Sequence, residues 1–143
     1  MFEFISKFAP SFSTKSSKSR FDDRFISRLD EKMKIEILRT FWCDEGSISK
    51  NGKIVGKSKS LKLIKQLKNL HDSLGIETTI WIDRKSKNYA LYIKKNKYNI
   101  LRFSAIGFGN GIVTRGSFIG LKKNEVFNKL YGPVISLTPR RNR

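Results

Sequence analysis

The sequence predicts an α+β domain in which two β-hairpins form a four-stranded antiparallel sheet and helices cover one of its faces. Three observations support this fold class. Apolar residues recur at helical spacing in two segments, a β-turn signal follows the first segment, and a run rich in β-branched residues follows the second. The predicted order of elements is helix, hairpin, helix, hairpin, helix, helix.

The first helix is predicted to begin after Asp30, because an aspartate there can accept a hydrogen bond from a backbone N–H of the first turn. Met33, Ile37 and Phe41 recur at helical spacing, with further apolar residues beside them. Because this apolar band is wide, we expect the helix to bury two faces. Gly46 is predicted to end the helix.

The first hairpin is predicted from a turn signal between two short apolar segments. Ile48 opens one strand, and Ile54 and Val55 form the other. Asn51 and Gly52 lie between them, and this pair favours a type I′ turn, in which both central residues have positive φ. The sequence therefore predicts a tight hairpin directly after the first helix.

The second helix and the second hairpin follow in order. The helix is predicted to begin at Ser58 or Ser60 and to end at Gly75. Period-two strands are predicted from Ile76 to Asp83 and from Tyr89 to Ile93, joined by a turn. The apolar stripe of the helix consists of leucines at helical spacing, namely Leu63, Leu67, Leu70 and Leu74.

The remaining chain predicts two further helices and two flanking segments. The helices are expected over residues 96–108 and near residues 122–131, separated by a Gly-rich loop. Residues 1–23 are predicted to be a basic N-terminal arm, residues 24–132 one domain, and residues 133–143 a basic tail. A chain of 143 residues is of ordinary length for one domain.

The composition is strongly basic. Lys and Arg number 30 against 12 Asp and Glu, which gives a net charge of +18. Self-repulsion on this scale opposes folding, so we expect a polyanionic partner. Nucleic acid is favoured because the positive charge is spread through the folded region. An anionic membrane surface or an acidic protein is the alternative.

Several site classes are excluded by composition. Cys43 is the single cysteine, so the sequence permits neither an intramolecular disulfide nor a cysteine-based zinc site, and the lone His71 adds no second ligand. No apolar run approaches the roughly 20 residues of a membrane span, so we expect a soluble protein. The Ser- and Lys-rich N-terminus is compatible with an organellar transit peptide or with a loosely ordered basic arm.

One motif carries a resemblance to a known family. LRTFWCDEGSI, residues 38–48, resembles the LAGLIDADG motif of homing endonucleases. The resemblance continues through SKSLKLIKQLKNLHDSLGI, NYALYI and NILRFSAIGF, and covers about residues 30–131. It implies an αββαββα domain in an intron-encoded, site-specific DNA endonuclease that hydrolyses both strands with Mg²⁺ or another divalent cation.

The resemblance also implies roles for particular residues. The acidic residue just before the motif glycine, here Glu45, would bind the cation, with Asp44 beside it. A basic residue near the end of the fourth strand would act on phosphate and water, and Lys95 is the nearest match, with Lys94 and Lys97 as neighbours. A cation would also offset the unfavourable position of a carboxylate at a helix C-terminus.

A single motif copy implies a homodimer in which two motif helices pack together and the two sheets form one saddle over DNA. The expected dimer interface consists of Ile37, Thr40, Phe41 and Asp44. Three positions depart from the motif, since Thr40 replaces a glycine, Cys43 an aspartate and Asp44 a small residue. A catalytically inactive DNA-binding protein or an RNA splicing helper on the same fold is therefore a second hypothesis, and an unrelated basic α+β RNA-binding protein is a third.

DNA contacts are expected on the sheet face opposite the helices. On the third strand, alternation places Trp81 on this face and Ile82 on the core face. A β-ribbon of this kind fits the major groove of DNA. The candidate contact residues are polar or basic side chains on or beside the strands, namely Ser47, Ser49, Thr79, Arg84, Lys85, Lys87, Asn88 and Tyr92.

Overall fold

The computed structural model of the chain describes residues 20–136, and no helix in that range is long and apolar enough to cross a membrane. Helices and strands alternate in the predicted order, with one additional short helix at the start. The elements are α1 (Asp23–Ser27), α2 (Glu31–Glu45), β1 (Gly46–Ile48), β2 (Ile54–Ser58), α3 (Leu61–Ser73), β3 (Thr78–Asp83), β4 (Asn88–Ile93), α4 (Lys97–Phe103) and α5 (Lys123–Ser136).

The four strands form one antiparallel sheet in the order β1-β2-β4-β3, as the sequence predicts. Leu91 and Ile54 project into the hydrophobic core with the buried sides of α2 and α3. Ser47, Thr79 and Trp81 are exposed on the opposite face. The α+β fold class with helices on one face of the sheet is therefore confirmed.

Helix α2 begins as predicted, because the Asp30 carboxylate accepts a hydrogen bond of 2.8 Å from the Met33 backbone N–H. The helix lies directly on β2, where Gly56 makes room for it. A Cβ atom at Gly56 would lie 2.6 Å from the ring of Phe41. The absence of a side chain at this one position therefore lets the helix and strand approach closely.

A buried hydrogen bond joins α2 to α3. The Trp42 indole N–H donates to His71 Nε2 over 3.0 Å, while His71 Nδ1 lies 2.7 Å from the Leu67 carbonyl oxygen. Complete burial lowers the pKa of His71 to about 4, so its imidazole is neutral at pH 7 and can accept the hydrogen bond from the indole N–H. His71 is thus a structural residue of the core.

The turn between β1 and β2 differs from the predicted type I′ turn. Gly52 has a φ of 85°, but Lys87 is the one non-glycine residue with positive φ among residues 20–136, so Asn51 does not adopt that conformation. The Gly52 N–H donates to the Ser49 carbonyl over 2.9 Å, and Gly52 then turns the chain into β2. The Asn51 side chain is hydrogen-bonded to the Ser49 hydroxyl, which stabilises the turn locally.

Several predicted boundaries are corrected. Strand β3 begins at Thr78 instead of Ile76, and α4 ends at Phe103 because the chain then turns through residues 104–106. Phe21 is buried in the core, so the domain begins before residue 24, and α5 continues to Ser136. Residues 1–19 of the expected arm and residues 137–143 of the expected tail lie outside the described range.

Ile82 is also placed differently from its prediction. It lies on the helix side of the sheet but is 60% exposed, because the helical layer does not cover this end of the second hairpin. Alternation along β3 therefore predicts the correct face, while the extent of the core along the strand depends on tertiary packing.

Candidate active site and nucleic-acid interface

Two adjacent carboxylates lie where the motif helix α2 meets β1. Asp44 is exposed and Glu45 is half-buried, and Gly46 follows as the first residue of β1. The chain passes from the helix to the strand without a loop, and this close passage requires glycine at position 46. A Cβ at Gly46 would lie 2.5 Å from the carbonyl oxygen of Trp42 and 2.7 Å from its ring. Gly46 therefore holds the two carboxylates at the end of the helix.

Negative charge is concentrated at this helix end. Burial and the neighbouring Asp44 together raise the pKa of Glu45 to about 7, and burial also raises the pKa of Asp44. The macrodipole adds negative potential at a helix C-terminus. The site is therefore one at which an added cation is electrostatically favoured.

Lys123, at the start of α5, brings a buried ammonium group to the same place. Its Nζ donates to the Cys43 carbonyl over 2.9 Å and lies 3.5 Å from the Trp42 carbonyl oxygen. Its charge lowers the pKa of both Asp44 and Glu45, which partly offsets the effect of burial. Burial in turn lowers the pKa of Lys123 itself.

Sequence reasoning missed Lys123. It is separated from Cys43 by 80 residues and stands next to another lysine, so no local pattern distinguishes it. The one available signal is its position in the first turn of a predicted helix, where a cation is unfavourable. Such a misplaced charge indicates a partner elsewhere in the fold.

Lys94 and Lys95, the basic residues predicted to act on phosphate and water, are not brought to the carboxylates. Strand β4 runs in the same direction as β1, so the residues after β4 lie at the far end of β1 from Glu45. There the Lys95 ammonium donates to the Asn51 carbonyl, and Lys94 Nζ lies 3.3 Å from a Glu77 carboxylate oxygen. Within residues 20–136, Lys123 is the lysine positioned beside Glu45.

The residues predicted for the dimer interface are mostly buried within the single chain. Ile37 and Phe41 are fully buried in the core of a single chain, so they are not available to a partner. Thr40 is almost buried, and its hydroxyl donates to the Glu36 carbonyl over 2.9 Å. Of the four predicted interface residues, only Asp44 is exposed.

A Gly-rich loop covers another side of α2. The Arg39 guanidinium donates to the carbonyl oxygens of Ile106 and Ala105 over 2.7 and 3.0 Å. A Cβ at Gly109 would contact the side chains of Arg39 and Cys43. The loop therefore packs tightly against the helix and carries the chain towards Lys123.

The residues predicted to contact nucleic acid lie on the uncovered sheet face or in the turns beside it. The residues at the hairpin tip are held in a defined turn, because the Asp83 carboxylate accepts a hydrogen bond of 3.1 Å from the Lys85 N–H. Asn88 and Tyr92 are half-buried within the sheet. The other predicted contact residues are exposed, namely Ser47, Ser49, Thr79, Arg84, Lys85 and Lys87.

Comparisons with known proteins agree with this architecture. No curated protein matches the sequence. A solved structure of mesophilic variants of the homing endonuclease I-DmoI has a similar fold, with a TM-score of 0.51 and 19% identity over 59% of this chain. The chain spans only 46% of that chain, and at this identity the likeness shows the fold alone. The model of the LAGLIDADG-like domain family matches residues 32–106, more than half of the sequence. The chain therefore belongs to the LAGLIDADG-like family.

Proposed function

We propose that this protein is a site-specific DNA endonuclease of the homing type, which hydrolyses phosphodiesters in both strands with a divalent cation. The observation that carries the proposal is the convergence of Asp44, Glu45 and Lys123 at the end of the motif helix. The match to the LAGLIDADG-like family supports it.

The carboxylates fit a divalent cation. Asp44 and Glu45 are oxygen donors of the kind that Mg²⁺ prefers, and neither forms a salt bridge among residues 20–136. The raised pKa of Glu45 also reflects negative charge that a cation would neutralise. Bound Mg²⁺ would supply charge neutralisation at a phosphate and a water of lowered pKa.

Lys123 provides a fixed positive charge at the same helix end. Its ammonium is held by the Cys43 carbonyl, so little reorganisation is needed when a phosphate approaches. In the proposed reaction it stabilises the negative charge that develops on the phosphate oxygens. Asp44 and Glu45 hold the cation, and Gly46 fixes their position.

The uncovered sheet face would bind duplex DNA. Arg84, Lys85 and Lys87 are exposed at its hairpin tip and provide phosphate contacts. Ser47 and Thr79 lie on the strands, where short polar side chains can reach base edges in the major groove. The high net charge agrees with a polyanionic ligand.

A second copy of the chain would complete the enzyme, because cleavage of both strands needs two sets of carboxylates. Since Ile37 and Phe41 are buried, the dimer contact we propose instead is the segment 112–121, which includes the second half of the Gly-rich loop. It is folded back on itself, because the Val113 N–H donates to the Leu121 carbonyl over 2.8 Å and the Val113 carbonyl accepts from the Gly120 N–H over 2.9 Å. Its exposed apolar side chains are Ile112, Ile119 and Leu121.

A DNA-binding protein without cleavage activity is the second candidate function. One specific observation favours it, since residues 20–136 contain no group of three His, Cys, Asp or Glu side chains that could hold a metal ion. Cys43 occupies the position where the motif usually has a further carboxylate. Cleavage would then require the remaining ligands to come from DNA, water and a second copy.

Incubation with a plasmid library carrying randomised inserts, with and without Mg²⁺, tests the proposal. We expect breaks in both strands at one family of sequences in the presence of Mg²⁺. Glu45→Gln and Lys123→Met should abolish the breaks, while Glu77→Gln should not. Binding without breaks under any divalent cation would instead support the second candidate.

A further inference from the structure

An exposed tryptophan stands on the sheet face that the helices do not cover. Trp81 on β3 is 64% exposed, and its ring centroid lies 6.4 Å from that of Tyr92 on β4 in an edge-to-face arrangement with an interplanar angle of 80°. Trp81 pairs with Ala90, whose small side chain leaves the indole standing above the sheet. Trp81 and Tyr92 therefore form a partly exposed aromatic pair on this face of the sheet.

Two clefts flank this pair of rings. One has a volume of about 260 Å³ and is lined by Lys53, Thr79, Trp81 and Tyr92. The other, of about 300 Å³, includes Trp81 and Tyr92 together with Lys57 and the hairpin tip. Because the same two aromatic side chains line both clefts, a planar ligand on either side would contact an aromatic face or edge.

Positive charge surrounds the aromatic pair. Lys53 Nζ lies 5.2 Å from the ring centroid of Tyr92, a cation–π contact. Lys57 lies at the opposite side of the pair, 3.6 Å from the carboxylate of Asp83. Aromatic rings flanked by lysines can stack on a base while the lysines contact the phosphates on either side of it. A protein partner is less favoured, because the centre of a protein interface is usually depleted of lysine.

The geometry favours an unpaired base over a base pair. In a duplex the faces of each base are covered by its neighbours, so only base edges are available in the grooves. An indole that stands above a sheet can stack only on a base whose face is free. Stacking also tolerates any base, because every base has an aromatic face.

We propose that Trp81 and Tyr92 form a stacking platform for an unpaired base of single-stranded DNA, with Lys53 and Lys57 contacting the adjacent phosphates. The choice of DNA rests on the proposed function. The platform adds to it a second binding mode on the same sheet face, suited to strands that are separated or locally unpaired.

Tryptophan fluorescence gives a selective test. The sequence has two tryptophans, and Trp42 is fully buried, so a base that stacks on the surface quenches Trp81 alone. The probes are a labelled 12-nucleotide oligo(dT), a duplex of the same length, and oligo(U). We expect oligo(dT) to quench the emission. Its affinity, measured by anisotropy, should fall about tenfold or more in Trp81→Ala.

Matched variants separate stacking from general effects. Trp81→Phe keeps an aromatic face and should retain most of the affinity for oligo(dT). Tyr98→Ala removes an aromatic side chain that is 72% exposed on α4, away from the platform, and should leave the affinity unchanged. Equal losses in Trp81→Ala and Tyr98→Ala would overturn the platform.

Three further outcomes would overturn the proposal. In the first, the duplex binds, but oligo(dT) neither binds nor quenches the emission. This result would overturn the platform and leave the proposed endonuclease intact. Tighter binding of oligo(U) than of oligo(dT) would assign the surface to RNA. Quenching that depends on protein concentration without nucleic acid would assign Trp81 to a contact between copies.

Discussion

At the residue scale, Glu45 links the sequence motif to the chemistry of the site. Its carboxyl is held between helix and strand, where burial and Asp44 raise its pKa to about 7, compared with 4.5 in an unfolded chain. Between these values the folded protein binds more protons than the unfolded chain, so the free energy of unfolding falls as pH rises from about 4.5 to about 7. The site is maintained at the expense of stability, as expected of a functional group.

Glu45→Gln is therefore expected to stabilise the protein at alkaline pH. Glutamine has the same shape but no charge, so the variant should melt at a higher temperature than wild type at pH 8, and the difference should shrink towards pH 4.5. Thermal unfolding at several pH values in the absence of metal measures this. Glu77→Gln is the control, because Glu77 is exposed, and it should give no such gain. A difference that does not change with pH would contradict the assignment.

The residues of the site differ in how far sequence could predict them. A local motif predicts that Asp44 and Glu45 lie at the end of a helix, and the structure places them there. Lys123 could not be predicted, because its contact with the helix end joins residues 80 positions apart. Lys94 and Lys95 follow β4 as predicted, but their separation from Glu45 depends on strand order, which no local pattern reveals. Their catalytic role stays a prediction.

At the element scale, the contact of α2 with β2 sets the position of the site. The Phe41 and Trp42 side chains of α2 pack against the backbone of Gly56. A Cβ atom added at Gly56 would lie 2.6 Å from the Phe41 ring and 3.2 Å from the Trp42 ring. Because the carboxylates follow directly at the end of α2, any displacement of the helix moves them too.

Gly56→Ala is expected to destabilise the fold by about 1–3 kcal/mol, since one methyl group would overpack this contact. Denaturant unfolding of the variant measures the loss. Gly132→Ala in α5 is the matched control, because among the described residues no atom beyond its chain neighbours and the local helix backbone lies within 4 Å of its Cβ position. No overpacking is therefore expected there. Equal stability of wild type and Gly56→Ala would contradict the close packing.

Elements with strong local signals were predicted well, and those shaped by packing were not. Asp30 and Ser60 cap α2 and α3 with their side chains, as their sequence context indicates. The segment 104–122 has no such periodicity, and its path is set by contacts with α2 through Arg39 and Gly111. Tertiary packing also explains the exposure of Ile82. Alternation along β3 predicts that Ile82 faces the core, but the core does not extend to this end of the strand.

At the scale of the whole molecule, positive charge lies on both sides of the sheet. The exposed lysines of α3 form a solvated helix surface, whereas Arg84 and Lys85 lie beside the uncovered face. Only the second group is placed to contact DNA in the proposed arrangement, although both contribute to the net charge of +18.

Lys85→Ala should therefore weaken duplex binding at low salt and reduce the slope of log affinity against log salt by about one, because one fewer phosphate is neutralised. Titrations of a labelled duplex at several salt concentrations measure both quantities. Lys65→Ala, on the exposed side of α3, should change neither. Equal slopes for the two variants would place the DNA elsewhere.

The proposed homodimer depends on the exposed apolar segment 112–121. Ile119 is 65% exposed there, so Ile119→Asp should shift the protein towards monomer in sedimentation experiments at micromolar concentration. Ile82→Asp is the control, because Ile82 is similarly exposed at the far end of the second hairpin. A monomeric wild type, or equal effects of both substitutions, would contradict this contact.

In the proposed function, Glu45 acts in metal-dependent cleavage of DNA and not in binding it. The most direct measurement is a parallel determination of duplex affinity and cleavage rate with Mg²⁺, for wild type and Glu45→Gln, on a site recovered from the plasmid library. We predict affinities within about threefold of each other and a cleavage rate at least about 100-fold lower in the variant. Equal cleavage by the two proteins, or intact DNA with wild type under every divalent cation, would contradict the account.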